Sequence, residues 1–169
     1  MTDPPLAKPM ALLKSHRLDD FNSGSVVLDD YFRRFALTNH RAGMARTYIA
    51  CRGKRVVGFY SIVFGSITHE DATPRTAKGI ARHPIPMMLL ARLAVDLTQQ
   101  GQGVGKGLLK DAMLRTLQAA EIGGLRIMLA HAKDEQAAQF YQRFGFESSP
   151  TNSLHQMLLL KDIRKTIDL

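Results

Sequence analysis

Gln100-Gly101-Gln102-Gly103-Val104-Gly105-Lys106-Gly107 places four glycines at alternate positions of a 169-residue chain. The apolar run 89–95 precedes it. After it, Leu108, Leu109, Ala112, Met113, Leu117 and Ala120 fall on one stripe at helical spacing. A strand, a glycine loop and a helix in that order suit a phosphate or pyrophosphate. Glycine lets the backbone approach the ligand closely, and a helix start offers free N–H groups at its positive dipole end.

Spacing excludes two familiar loops. A P-loop sets four residues between its first Gly and a Gly-Lys pair followed by Ser or Thr; Gly101 and Gly105-Lys106 leave three, and Gly107 follows. A dinucleotide fingerprint needs a third Gly five places after the first, where this chain has Lys106 or Leu108.

Outward from the loop, the helical stripe ends at Gly123-Gly124 and residues 125–130 form the next strand. With the strand at 89–95 this is a βαβ unit, so the two strands are expected to be parallel. Upstream, residues 46–51 and 55–63 read as a hairpin turning at Gly53-Lys54. Leu28, Tyr31, Phe32 and Phe35 predict one amphipathic helix over about 26–39, and Gly43 closes the loop after it. Residues 1–12, with Pro4, Pro5 and Pro9, read as a loosely paired lead-in, and 69–86 as an exposed cationic loop or short helix. Downstream, Asp134 is expected to cap a short helix carrying Ala137, Phe140, Tyr141 and Phe144, stopped by Gly145. Phe146 leads into a β segment, 154–160 forms the last strand, and a charged tail follows. The fold class is α/β (α+β) with a mixed sheet.

The composition is that of one globular domain of ordinary hydrophobicity, 45% apolar and 22% charged. Cys51, the single cysteine, suggests a reducing compartment. The N-terminus lacks a signal pattern and no apolar run approaches membrane-span length, so a cytoplasmic location is expected, with no membrane partner. Net charge is +8 and unevenly spread: residues 1–92 carry 14 basic and 7 acidic residues, 93–169 carry 9 and 8. An anionic partner on the N-terminal half is the functional expectation, against a basic but unpartnered surface. The same charge argues against cationic acceptors such as polyamines.

Gln100, Gly103 and Gly105, following a strand and opening a helix, resemble the acyl-CoA pyrophosphate loop of the GNAT acyltransferase superfamily. Phe140-Tyr141-Gln142-Arg143-Phe144-Gly145-Phe146 resembles the same superfamily's later motif. The segments Leu18-Asp19-Asp20-Phe21-Asn22-Ser23-Gly24, Leu28-Asp29-Asp30-Tyr31, Thr47-Tyr48-Ile49-Ala50, Val57-Gly58-Phe59-Tyr60-Ser61 and Arg92-Leu93-Ala94-Val95-Asp96 resemble the GNAT toxins of bacterial toxin–antitoxin pairs. That resemblance implies a single GNAT domain over 1–169, with a mixed central sheet, splayed parallel strands and flanking helices. It further implies acetyl-CoA as cosubstrate without a metal, acetylation of the amino acid on aminoacyl-tRNA, a ribbon-helix-helix antitoxin and a homodimer. The alternatives are a GNAT enzyme acting on a small-molecule amine or a protein N-terminus, or an acetyl-CoA-binding module without turnover.

On this reading Gln100, Gly101, Gln102, Gly103, Val104, Gly105, Lys106 and Gly107 hold the pyrophosphate. Leu93, Ala94, Val95 and Phe140 line the pantetheine arm, and a backbone N–H near Leu93 polarises the thioester carbonyl. Tyr141 matches the tyrosine that protonates the leaving thiolate; by spacing alone it is a core aromatic. Arg33, Arg34, Arg46, Arg75, Lys78, Arg82 and Arg92 are the candidate tRNA contacts, of which Arg46 and Arg92 have structural alternatives. No general base stands out: Glu70, Asp71, Asp96, Glu135 and His131 qualify by type only. A site without a base favours an α-amine, with a pKa near 8, over a lysine amine near 10.4.

Overall fold

The computed structural model describes residues 3–167. Its seven strands form one mixed sheet in the order β1-β2-β3-β4-β5-β7-β6. The strands are β1 (Met10–Ala11), β2 (Arg46–Arg52), β3 (Arg55–Ile67), β4 (Ile85–Val95), β5 (Ile127–His131), β6 (Glu147–Ser148) and β7 (His155–Leu159). The helices are α1 (Val26–Arg34), α2 (Ala36–Ala42), α3 (Pro74–Ala77), α4 (Val104–Ala120), α5 (Glu135–Gln142) and α6 (Leu160–Ile167). The chain divides into two compact units: the described residues up to Val63 with Ala91–Ala112, and Phe64–Leu90 with the described residues from Met113 onward.

In the first unit, β2 and β3 pair antiparallel down to Arg52↔Arg55, across a turn in which Gly53 takes the left-handed φ of 58° that glycine tolerates. The described residues of the proline-rich lead-in lie along this hairpin, with Met10 opposite Ile49 and Leu6 bridged to Arg52; residues 1 and 2 fall outside the described residues. Phe32 stacks on Phe59 with centroids 4.0 Å apart, and Phe21 meets the two edge-on at 5.0 and 5.7 Å. Each such aromatic pair adds about 0.5–1.5 kcal/mol beyond the area it buries. The single helix expected over 26–39 is two. At Phe35 the backbone leaves helical geometry (φ −121°, ψ −24°), and α2 restarts and runs to the left-handed Gly43. The periodicity failed there because Phe35 does not join the core: it is 47% exposed.

In the second unit, β4 and β5 are parallel from Met87↔Ile127 to Leu90↔Ala130, as the βαβ reading requires. β4 then continues to Val95, past the last registered pair. β5 and β7 pair antiparallel from Ile127↔Leu159 to His131↔His155. Met87, Ile127, Leu129, Met157 and Leu159 form the local core. The stretch 69–86 is more structured than a loop: Thr73 caps α3 by accepting from the Thr76 N–H, and β4 has already begun at Ile85. Up to Ile167 the expected C-terminal tail is instead α6, which buries Leu160 and Ile163; residues 168 and 169 fall outside the described residues.

Candidate active site

β4 ends at Val95, and the Asp96 carboxylate caps the 3₁₀ turn Leu97–Gln99 by accepting from the Thr98 N–H at 3.0 Å. Gly101 (φ 77°) and Gly103 (φ 86°) then reverse the chain through left-handed conformations, and α4 starts at Val104. The first helical bond runs from the Gly107 N–H to the Gly103 carbonyl at 3.0 Å. The N–H groups of Val104, Gly105 and Lys106 therefore precede any acceptor that helix geometry provides, and they are the candidate donors to an anion. Gly107 was expected among these donors; its N–H is committed inside the helix, so its contribution is the side chain it lacks. A Cβ at Gly101, Gly103 or Gly107 would meet nothing within 4 Å.

Two supports hold this loop. A Cβ at Gly58 on β3 would lie 2.8 Å from Leu108 Cδ1, 3.2 Å from Val104 Cγ1 and 3.3 Å from the Ala94 carbonyl oxygen, so glycine lets the first turn of α4 settle on the strand. Gln100, expected to meet the donor, turns its amide inward and donates to the carbonyls of Ser23 (3.1 Å) and Val95 (3.0 Å). Gln102 Nε2 donates to the Thr98 carbonyl at 3.3 Å. Gly101 and Lys106 are exposed; Leu93 and Val95 are half-buried and Ala94 is buried.

The expected cap of α5 is present: Asp134 accepts from the Ala137 N–H at 2.8 Å. Gly145 follows with φ 92°. Tyr141 is 5% exposed, its ring 5.2 Å from Phe140 and 5.4 Å from Phe146. Its hydroxyl has no hydrogen-bond partner among the described residues, and burial pushes its pKa well above the ordinary phenol value. Phe140 is half-buried and packs on Phe144 at 5.3 Å.

Of the candidate bases, Glu70, Asp71 and Asp96 are weakened by their surroundings. Glu70 is held below its usual pKa by hydrogen bonds from its own backbone and Thr68 and by Arg82, and Asp71 by the Thr151 and Thr68 hydroxyls. At Asp96, burial opposes ionisation, but hydrogen bonds from Thr98 and Asn22 together with Arg55 outweigh it and lower the pKa. His131 stacks on His155 at 4.1 Å, and Glu135 lies exposed in the first turn of α5. Among the described residues no cluster of three or more His, Cys, Asp or Glu is arranged to hold a metal, and no helix is long and apolar enough to cross a membrane.

The cations proposed for an anionic acceptor mostly have partners of their own. Arg33 donates to the Phe21 carbonyl (2.7 Å) and Arg46 to that of His40 (3.0 Å). Arg34 pairs with Asp30 (3.4 Å), Arg82 with Glu70 (2.6 Å), and Arg75 with Asp162 (2.8 Å) and Glu147 (3.4 Å). The Arg92 guanidinium lies 3.6 Å over the Tyr31 ring. Lys78 is exposed, and its carbonyl accepts from Arg126 at 3.2 Å, while Arg126 Nε donates to the Thr76 carbonyl at 2.7 Å. This tethering by Arg126 was missed in the sequence, where nothing local marks it. The sequence offers Asp96 as a candidate base and as an ion-pair partner for Arg46 or Arg92, whereas its partner is Arg55 (3.2 Å); an Asp-x-Thr step after a strand does signal the side-chain cap it forms.

A strand that outruns its parallel neighbour and a loop of open N–H donors on a helix start suit an acyl-CoA donor; taken by itself, a buried tyrosine whose hydroxyl has no partner among the described residues suits a proton donor. The acetyltransferase (GNAT) domain family matches residues 44–148. The chain is 46% identical to the tRNA-acetylating toxin of Mycobacterium tuberculosis, over 94% of this chain and 95% of that one. It superposes on AtaT complexed with acetyl-methionyl-tRNAfMet with a TM-score of 0.87 at 26% identity, covering 95% of this chain and 98% of AtaT. A mutant AtaT toxin bound to the C-terminus of the antitoxin AtaR and acetyl-CoA gives a TM-score of 0.81, also at 26% identity, with 97% and 99% covered. The chain belongs to the GNAT acetyltransferase family.

Proposed function

We propose that this protein transfers the acetyl group of acetyl-CoA to the α-amino group of aminoacyl-tRNA, blocking translation until an antitoxin neutralises it. The observation that carries the reading is the 46% identity to a tRNA-acetylating toxin along 94% of the chain. The geometry supports the donor side of this reading. The N–H groups of Val104, Gly105 and Lys106 take the donor's pyrophosphate, and the open space at Gly103 and Gly107 leaves room for it. Leu93, Ala94 and Val95, where β4 continues past its ladder with β5, offer backbone groups to the pantetheine amides, and Phe140 packs on the arm. A backbone N–H near Leu93 polarises the thioester carbonyl.

The acceptor nitrogen forms the new C–N bond as the C–S bond breaks, and the departing electron pair goes to sulfur. Tyr141 gives its proton to that sulfur and is reprotonated from solvent; the proton lost by the amine leaves through water. A thiolate with an aqueous pKa of about 8.5 drives this transfer only partly, so Tyr141 acts while charge develops on sulfur. The depressed carboxyls of Glu70, Asp71 and Asp96 are poor bases. That suits an α-amine whose pKa lies near or below about 8. Arg33, Arg34, Arg46, Arg75, Lys78, Arg82 and Arg92 hold the tRNA backbone, which supplies affinity without sequence information. A ribbon-helix-helix antitoxin, a homodimer, a cytoplasmic location and a single acetyltransferase domain over 1–169 belong to the same proposal.

Incubation with labelled acetyl-CoA and total charged tRNA tests it. Label released as N-acetyl-aminoacyl adducts on deacylation is the expected result. Label confined to protein N-termini or small amines overturns it.

A further inference from the structure

The loop's own residues do not account for its shape; the segment just before it does. Asp96 is buried, with its side chain 3% exposed, and both of its oxygens are in use. Oδ1 accepts from the Thr98 N–H (3.0 Å), the Thr98 hydroxyl (2.7 Å) and Arg55 (3.2 Å), while Oδ2 accepts from the Asn22 N–H (3.1 Å). The backbone repeats the tie: the Asp96 N–H donates to the Val57 carbonyl (2.9 Å) and the Leu97 N–H to that of Asn22 (2.8 Å). One residue beyond Asn22, the Ser23 carbonyl accepts from Gln100, and Ser23 is itself bound through N and Oγ to the buried Asp29 carboxylate on α1. The chain leaving β4 is thus fixed at both ends of the 3₁₀ turn, by Asp96 and by Gln100, against a segment anchored to α1.

We propose that Asp96 is a positioning residue for the donor: it sets the exit of the chain from β4 so that the N–H groups of Val104, Gly105 and Lys106 converge on one anion. The inference rests on the acetyl-CoA reading of the loop. The role requires an acceptor on both oxygens. Asparagine has one, so in Asp96→Asn an NH₂ group faces either the Asn22 N–H or the Thr98 donors, and one tie is lost to repulsion. Because the loop meets only the donor, the deficit appears in donor binding rather than in turnover.

The experiment measures steady-state kinetics with charged tRNA, acetyl-CoA affinity by calorimetry, and thermal stability, for the wild type, Asp96→Asn and Thr98→Val. Thr98 is exposed, so Thr98→Val keeps the N–H tie and removes the two bonds of the hydroxyl, the one it donates to Asp96 and the one it accepts from Arg55, without threatening the fold. Asp96→Asn is expected to raise the acetyl-CoA KM and Kd about 10–100-fold, the worth of a charge-assisted hydrogen bond, with kcat at saturating donor within about 3-fold. Thr98→Val is expected to raise both by a smaller factor in the same direction. A purely structural Asp96 would instead lower the active fraction, reducing kcat with KM unchanged; that outcome overturns the proposal. So does unchanged donor affinity in folded Asp96→Asn and Thr98→Val proteins when the wild type binds acetyl-CoA. Failure of the wild type itself to bind acetyl-CoA overturns the function proposed above instead.

Discussion

Replacing Gly107 by alanine separates stability from donor binding because the two effects have opposite signs. Gly107 is helical, its N–H is already bonded to Gly103, and an added Cβ meets nothing within 4 Å. Alanine in place of a helical glycine gains up to about 0.8–1 kcal/mol. At about 2–4 °C per kcal/mol for a chain of this length, the unliganded Tm should rise by a few degrees. A helical Cα–Cβ bond tilts toward the helix N-terminus, so the new methyl group points at the space reserved for the pyrophosphate. A ten-fold loss of affinity corresponds to about 1.4 kcal/mol, which exceeds the gain. Melting Gly107→Ala beside the wild type should therefore show a more stable variant without acetyl-CoA and a less stable one at donor concentrations that saturate the wild type. A variant more stable under both conditions, with unchanged calorimetric Kd, refutes the placement of the donor at this end of α4. A variant less stable without ligand refutes the open space.

Gly58→Ala forces a methyl group against Leu108 Cδ1 at 2.8 Å and near the Ala94 backbone; the overpacking should cost about 1–3 kcal/mol, read as a lower Tm, and weaken acetyl-CoA binding. Tyr141→Phe removes a hydroxyl with no partner among the described residues, so Tm should hold while kcat falls about 10²–10⁴-fold with donor affinity retained; unchanged kcat removes its role as acid. Because burial raises the Tyr141 pKa and the acid form is the active one, the kcat–pH profile should show no alkaline fall from the phenol up to about pH 10, its ordinary pKa. Asp96 has a folded pKa below that of the unfolded chain, so its contribution is complete above about pH 4 and is lost as pH falls through the depressed value. The Tm of the wild type and of Asp96→Asn should therefore converge in strong acid; a constant gap down to pH 2 contradicts that linkage.

The parts legible in the sequence are those whose determinants lie close together along the chain. The Gly53-Lys54 hairpin, the start of α4 at Val104, the Asp134 cap and the parallel pair of strands each follow from a few adjacent residues or one period. Where a tertiary choice overrides the period, the reading slipped. Leu28 to Phe35 keep helical spacing, yet Phe35 turns outward and divides the helix. Leu160 and Ile163 sit among charges, and only the surface they bury makes α6 a helix rather than a tail. The inward turn of Gln100 and the engagement of Arg75 by Asp162, 87 residues away, depend on partners remote in sequence, which no local pattern encodes.

The carboxylate partners of the proposed tRNA-binding arginines change what kind of surface this is. Arg75, Arg82 and Arg34 already hold Asp162 and Glu147, Glu70 and Asp30. Binding RNA there is an exchange of one anion for another rather than the capture of anions by bare cations. Each exposed ion pair given up, Arg82–Glu70 or Arg34–Asp30, costs only about 0–1 kcal/mol, so successive phosphates displace such partners at modest loss, while Asp162 is mostly buried and holds Arg75 more firmly. A single free phosphate, offering one contact in return for one surrendered, gains almost nothing. On the proposed reading, charge that looks indiscriminate in the composition would discriminate by length, favouring polyanions over the small anions of the cell.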